Sequence, residues 1–402
     1  MQKHYRVIIV GGGAAGLISA VELTRGKNSF SGSDILILEK TDRLGKKLVV
    51  TGNGQGNLSN MSISTENYYG DKNFVYESVN NITQTDICKY FKGLGLTTTT
   101  DVQGRIYPLS RQASAVSDIL RAHIAQAECN VVLNAEVDKI VKIGDNFKVS
   151  VKNTDYFGER VILAVGGACG KQFGTDGSSY RLAESLGHKK TKLYPSLVQI
   201  KTELDKIRGL KGIKEYVRLT AYDGEMPLKT AEGDLLFTDY GISGSAVFQV
   251  SGHLTKAVKP NVKVEFLPDY SESQAVEILQ NAGKNSPLYT ENAFSGIINK
   301  RVGQAVIKSA SGRNYYALAS ALKNFRLTVK GSLGFDYAQV TKGGIASVDV
   351  DEKTYESRLA RNMYLVGEML DVDGDCGGYN LTFAFVSGIL SARSIKLTRG
   401  EL

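Results

Sequence analysis

The stretch that most narrows the folds open to this chain lies in its first forty residues: strand, glycine turn, helix, then a second strand ending in an acid. Tyr5–Val10 (YRVIIV) is a β-branched, mostly apolar run, the pattern of a strand covered on both faces in a parallel sheet. It stops at Gly11, and Gly11, Gly13 and Gly16 stand in GxGxxG register, with Ala14–Leu23 reading as a helix packed tightly on that sheet. The three glycines serve different ends. Gly11 permits the tight turn, Gly13 lets the backbone approach a pyrophosphate, and Gly16 allows helix and strand to touch. The N–H groups at Ala14, Ala15 and Gly16 and the positive end of the helix dipole then hold the anion. Asp34–Leu38 predicts the second strand, and Glu39 at its end is placed to accept hydrogen bonds from both ribose hydroxyls and to disfavour a 2′-phosphate.

A nucleotide fold alone does not separate NAD from FAD, so the deciding residues must lie far along the chain. Arg160–Val165 reads as another buried strand, broken at Gly166-Gly167 where the backbone would pass close to a cofactor. Met363–Val366 is a further strand, followed by Gly367-Glu368 and then Asp371. Gly377-Gly378-Tyr379-Asn380-Leu381 opens a helical pattern through Phe385, Ile389 and Ala392. Backbone N–H groups of Gly378 to Leu381 at that helix start would stabilise the negative charge of a reduced flavin, the alternative being a plain loop capped by Asn380. Such late contacts suit a flavin better than NAD.

Between these segments the chain changes texture. Tyr194–Ile200, Val217–Tyr222, Asp234–Thr238 and Val262–Leu267 read as strands, and Ser273–Ala282, Ala293–Ala310 and Tyr315–Asn324 as helices. The expected fold class is α/β: a Rossmann-type FAD-binding domain with a mostly parallel sheet, split in sequence, carrying an inserted β-barrel-like layer and a helical cap. Residues 1–190 and 330–402 are expected to form the first part, 191–270 the β-rich insert with return strands near 325–340, and 271–325 the helical subdomain.

The formal net charge of +8 over 402 residues is mild, and its dense stretches, Lys189–Lys192 and Lys206–Arg218, are short. No nucleic-acid partner is required by them. The four cysteines, Cys88, Cys129, Cys169 and Cys376, lack CxxC spacing, which removes a redox dithiol and a zinc framework and makes the cytoplasm the expected location. No metal is expected: His4, His123, His188 and His253 are scattered, and Asp371, Asp373 and Asp375 resemble a calcium loop without its glycine or final glutamate. No run reaches the length of a membrane span. Ser243 gives GISGS, a turn and not a nucleophile elbow.

The motifs together resemble, in order and across most of the chain, the bacterial flavoproteins of the aminoacetone oxidase and bile-acid reductase type. The matching segments include GGGAAG at Gly11–Gly16, EKTDRLGKKLVVTGNG at Glu39–Gly54, GRIYPLS at Gly104–Ser110, TKGGI at Thr341–Ile345 and GEMLDVDGDCGGYNLTFAFVSG at Gly367–Gly388. The resemblance implies bound FAD, with Glu39 on the adenosine ribose, Lys40 and Lys47 near the nucleotide, Gly52 and Gly54 near the ring system, and Glu368 and Asp371 near the ribityl end. The chain departs from the family at Gly52-Asn53-Gly54-Gln55-Gly56-Asn57, where members usually carry a GGGRCN-like turn, and at Ser245, where Pro is common. The expected activity is two-electron hydride transfer between a small organic substrate and flavin N5, as a reductase using NADH or NADPH or as an oxidase using O2. Arg105, Tyr107 and Tyr379 are the candidate catalytic residues. A flavoprotein of RNA modification and a non-catalytic FAD binder are the alternatives.

Overall fold

The computed structural model describes residues 4–285 and 294–398. The chain divides into two compact units, residues 1–193 with 340–402, and residues 194–339.

The first unit is built on a sheet whose strands His4–Val10, Ile35–Leu38, Asn130–Val132, Thr154–Leu163 and Met363–Leu365 are parallel neighbours, in the spatial order Asn130, Ile35, His4, Thr154, Met363. Its central strands are fully buried: Val7, Ile8, Ile9, Ile35, Leu36, Val161 and Leu365 expose no surface. Burial on both faces is why these runs are continuously apolar instead of alternating. The expected strand Arg160–Val165 is the second half of the longer Thr154–Leu163, whose first half turns back on Asn146–Val151 in an antiparallel meander with Lys139–Ile143. The helix Ala14–Leu23 falls on the expected residues, and nine of its ten residues are buried.

The second helix that matters, Tyr379–Leu397, packs beside it. Small residues set that approach: a Cβ on Gly388 would stand 2.6 Å from the Ala15 carbonyl oxygen, and Ser19 donates its hydroxyl to the Gly388 carbonyl at 3.0 Å. Further along, Lys396 donates to Glu22 at 2.7 Å. Contacts that advance together along both helices, from Ala15 to Glu22 and from Gly388 to Lys396, mean that the helices run parallel. Their N-termini therefore face the same way, and at 1.5 Å per residue the later helix starts roughly 6–13 Å ahead of the earlier one.

The second unit is a closed six-stranded antiparallel barrel of Ile200–Thr202, Gly241–Ser243, Met226–Phe237, Lys214–Asp223, Pro260–Glu265 and Phe325–Ser332. Ser243 belongs to one of these strands; the expected turn there is corrected, because Ile242 and Ser243 pair with the neighbouring strand on hydrogen bonds. Helices Ser245–Ser251, Glu272–Asn285, Lys300–Ser309 and Tyr315–Lys323 bury Val247, Leu279, Val302 and Leu318 in the same core as the barrel residues Val217, Leu235 and Val264. Of the helix expected over Ala293–Ala310, Ala293 lies outside the described residues and the helix itself begins at Lys300, capped by Asn299.

Candidate functional site

Four of the predicted segments start at the carboxyl ends of four adjacent parallel strands: Gly11–Gly16 after His4–Val10, Glu39 after Leu38, Gly166-Gly167 after Leu163, and Gly367-Glu368 after Leu365. Open α/β sheets bind their ligands at that edge. The glycines there are of two kinds. At Gly11 (φ +105°) a Cβ would stand 2.3 Å from the Ala164 carbonyl oxygen, and at Gly16 one would stand 2.0 Å from the Gly11 oxygen, so both are required by the protein's own backbone. At Gly13 nothing lies within 4 Å of the added Cβ, and no side chain caps the helix that Gly13 opens. A helix start with four orphan N–H groups and open space before it is an anion cradle.

Glu39 closes the turn. Its carboxylate accepts from the Gly12 and Thr41 N–H groups, both at 2.7 Å, one on each oxygen. Lys40 is held by Glu136 at 3.0 Å and Asp176 at 3.3 Å. Burial alone would raise the Asp176 carboxyl, but Ser178 and Lys40 outweigh it and bring it down to about 2. Lys47 pairs with Glu368 at 2.6 Å, and the second oxygen of Glu368 accepts from the Thr341 N–H at 3.0 Å. Gly167 lies against both partners, since a Cβ there would stand 2.3 Å from the Thr341 hydroxyl. Asp371 donates its backbone N–H to Ile345.

The start of the Tyr379–Leu397 helix gathers the remaining candidates. Gly378 is its left-handed N-cap (φ +103°), without a side-chain cap. Asn380 does not cap it: its carboxamide pairs with the N–H and C=O of Gly374, which removes the alternative of a loop capped by Asn380. The segment Asn57–Asn60 is laced to this helix start, Asn60 donating to the Gly377 carbonyl at 3.0 Å and Thr382 to the Ser59 hydroxyl at 2.9 Å. Gly52 and Gly54 belong to a turn with four left-handed residues, Gly52, Asn53, Gly54 and Gly56, whose Gly54 carbonyl accepts from the Ala113 N–H. Gly378 again leaves no room, a Cβ standing 2.4 Å from the Ser59 carbonyl oxygen and 2.8 Å from Oδ1 of Asn57. That Asn57 oxygen is buried and has no hydrogen-bond partner. Nothing about the turn singled Asn57 out in the sequence beyond its place at the end of the altered Gly52–Asn57 stretch.

Tyr379 is the first residue of the helix, buried edge-on against Tyr68 with ring centroids 6.0 Å apart. Burial pushes its phenol up, helped by Asp375 and Cys376. Tyr107 is also buried and raised, chiefly by burial, and the Arg111 guanidinium lies 4.4 Å from its ring centre. Arg105 pairs with Asp101 at 2.8 Å in the same hairpin. Burial likewise raises the Cys376 thiol, with the charge of Arg105 opposing it. Tyr107, Arg105, Cys376 and Tyr379 thus form one electrostatic neighbourhood of protonated phenols and a paired guanidinium. The residues fit FAD: two uncapped helix starts face one way, one of them with space for a phosphate before it.

The model of the HI0933-like protein Rossmann domain matches residues 5–394. The 3-dehydro-bile acid delta(4,6)-reductase of Clostridium scindens is 33% identical, over 97% of this chain and 98% of its own length. The ribosomal RNA dihydrouridine synthase of Haemophilus influenzae is 27% identical, over 98% of this chain and 100% of its own. Among solved structures, the 3-ketosteroid-delta4-(5alpha)-dehydrogenase of Rhodococcus jostii superposes with a TM-score of 0.53 at 13% identity, covering 98% of this chain and 97% of the other. The chain belongs to the HI0933-like Rossmann-domain family: its fold is the FAD-binding Rossmann type and its class is the FAD-dependent oxidoreductases.

Proposed function

We propose that this protein reduces a carbon–carbon double bond conjugated to a carbonyl in a small alicyclic substrate. The observation that carries the cofactor half of the reading is the pair of parallel, uncapped helix starts at Gly13 and Gly378. Full-length likeness to a bile-acid reductase supports the substrate half. Bound FAD would supply two-electron chemistry, giving a hydride from N5 to the substrate carbon after reduction by NADH or NADPH, or returning its electrons to O2 in an oxidase. The chain's own part is positioning and proton supply. Gly11–Gly16, Glu39, Lys47 and Glu368 would hold the nucleotide and ribityl ends; N–H groups at Gly378–Leu381 would face the ring. Tyr107 and Tyr379, phenols that carry their proton at neutral pH, are the groups we assign to deliver the proton that must join the second carbon of the double bond. Lys40, Gly52, Gly54, Gly166, Gly167, Gly367 and Asp371 complete the proposed cofactor shell.

The test is anaerobic: reduce the purified yellow protein with NADH or NADPH, then add a 3-oxo-Δ4 steroid or air. Reoxidation by the enone with uptake of two hydrogens supports the reductase; reoxidation by air alone supports the oxidase; a colourless protein that takes up no flavin removes both. The likeness to ribosomal RNA dihydrouridine synthases favours a second reading, reduction of a base in RNA. The basic stretch Lys206–Arg218 lends it little support, because Lys206, Lys211, Lys214 and Arg218 are paired with Glu203, Asp239, Asp234 and Glu232. RNA retained at low salt and released as salt rises would revive it.

A further inference from the structure

Arg111 is an exposed residue in a backbone conformation that few residues with a Cβ adopt. Its φ is +52°, left-handed, where glycine or asparagine would cost less, and its N–H closes a turn on the Pro108 carbonyl at 2.9 Å. Two residues on, Ala113 is buried and donates its N–H to the Gly54 carbonyl at 2.8 Å, so the backbone at Arg111 is pinned on both sides. The turn itself gains nothing from an arginine; the side chain must supply the reason. Its guanidinium lies over the Tyr107 ring, 4.4 Å from the ring centre, with Nη1 3.5 Å from the Gln55 carboxamide oxygen. Among the described residues no carboxylate pairs with it, whereas Arg105 in the same hairpin is taken by Asp101 at 2.8 Å. The result is a full positive charge, oriented by stacking and open to solvent. Val50 and Leu109, on the two segments that meet where Ala113 binds Gly54, are 44% and 62% exposed. On the other side, the Tyr107 strand pairs with Ser59-Asn60, and Asn60 donates to the Gly377 carbonyl just before the helix start of Tyr379.

We propose that Arg111 is a specificity-determining residue that binds a carboxylate on the substrate, an inference that rests on the enone reduction proposed above. Tyr107 and Tyr379, the assigned proton donors, mark the end where the double bond reacts; Arg111, on the solvent side of Tyr107, marks the other. A guanidinium presents paired N–H donors in one plane, matched to the two oxygens of a carboxylate. Stacking on Tyr107 fixes that plane beforehand, so less side-chain freedom is lost on binding. The exposed Val50 and Leu109 suit the alicyclic body between the two ends. The substrate class is therefore an amphipathic alicyclic enone with an acidic tail. The phosphate of a nicotinamide reductant offers a guanidinium similar oxygens, and the experiment separates the two sources.

FAD-loaded protein is reduced with dithionite in the absence of air, and its reoxidation is followed with a 3-oxo-Δ4 steroid bearing a side-chain carboxylate and with the methyl ester of the same compound. The acid should half-saturate wild-type protein at a concentration about 10-fold below that of the ester. Added salt should narrow this preference, because the pair is exposed. In Arg111→Asn, which suits the left-handed turn, the preference should vanish through the half-saturating concentration of the acid, while the protein melts at or above the wild-type temperature; Arg111→Lys should keep part of the preference. Wild-type protein that does not prefer the acid, or an Arg111→Asn protein that still does, overturns the proposal. So does an Arg111→Asn protein that melts well below wild type, which would make the stack structural. A variant that changes only the rate of flavin reduction by NADPH relative to NADH also overturns it, giving the guanidinium to the reductant's phosphate. Reoxidation by neither compound fails a different statement, the reductase reading itself, and is recognised in wild-type protein before any variant is made.

Discussion

Substituting serine at Gly13 and at Gly16 separates a glycine kept for a ligand from one kept for the fold. Gly13 has φ −81° and ψ −168°, an extended conformation open to any residue, and a side chain there meets no protein atom within 4 Å. Serine is at least as good an N-cap as glycine, worth about a few tenths of a kcal/mol. Fewer conformations in the unfolded chain add about 0.4–1 kcal/mol. The Gly13→Ser apoprotein should therefore be more stable by about 0.5–1 kcal/mol, a rise of about 1 °C in Tm for a protein of this size. The same hydroxyl would occupy an N–H group that a phosphate oxygen needs. Losing one charge-assisted hydrogen bond, about 1.5–3 kcal/mol, weakens FAD by about 10- to 150-fold. At Gly16 the new Cβ would sit 2.0 Å from the Gly11 oxygen, and Gly16→Ser must part helix from strand. That overpacking costs about 3 kcal/mol or more whether or not flavin is present. Thermal melts of the apoproteins and fluorescence titrations with FAD read both quantities. A Gly13→Ser protein that binds FAD as tightly as wild type, or one whose apoprotein is as damaged as Gly16→Ser, refutes the assignment.

Glu39→Ala should lower apoprotein stability by about 2 kcal/mol, because the Gly12 and Thr41 N–H groups lose a charged acceptor, and should weaken FAD further; Glu39→Gln, which keeps one acceptor, should lie between in both melts and titrations. The pair of Lys396 and Glu22, with side chains 11% and 10% exposed, joins the two parallel helices. Lys396→Met should cost up to about 3 kcal/mol in urea unfolding by leaving Glu22 only the more exposed Arg393 at 3.4 Å, and the double variant with Glu22→Gln should recover part of it; strict additivity would argue against the pairing. His188 is buried with Nε2 on the Ser357 hydroxyl, and burial lowers its pKa, with Asp349 partly opposing. The unfolded chain then binds a proton more readily than the folded one, so this contribution is complete above the unfolded pKa of about 6.5 and is lost as pH falls below it. His188→Gln should flatten the decline in Tm between about pH 6.5 and 5, and an unchanged slope would assign the decline to other groups.

Legibility in the sequence followed burial and local geometry. The helix Ala14–Leu23 could be placed on its residues because a buried apolar strand stops at glycine directly before it, and the barrel strands Lys214–Asp223 and Met226–Phe237 gave partial signals because one face of each is wet. Gly241–Ser243 did not, being three residues long and glycine-bounded, which from sequence is indistinguishable from a turn. The same limit hid Asn57: an asparagine in a run of glycines reads as a turn former, and only the packing against Gly378 distinguishes it. Asn380 shows the opposite limit. Its position favours a cap, but Gly374 offers a donor and an acceptor together, and that paired contact wins. Charge runs were equally ambiguous, since Asp239 and Asp234, which pair with Lys211 and Lys214, lie well beyond the basic stretch in sequence.

The two helix starts that frame the proposed site leave the ribosome far apart in time. Roughly 350 residues separate Leu23 from Tyr379, about 20–70 s of synthesis, whereas the barrel is one uninterrupted stretch that emerges whole in between. The nucleotide-binding sheet must wait for Met363–Leu365 and the closing helix before its last strand is paired and Ala15 is covered. A nascent chain therefore carries the whole insert inside an unfinished host, and the proposed flavin site is complete only at the end of translation.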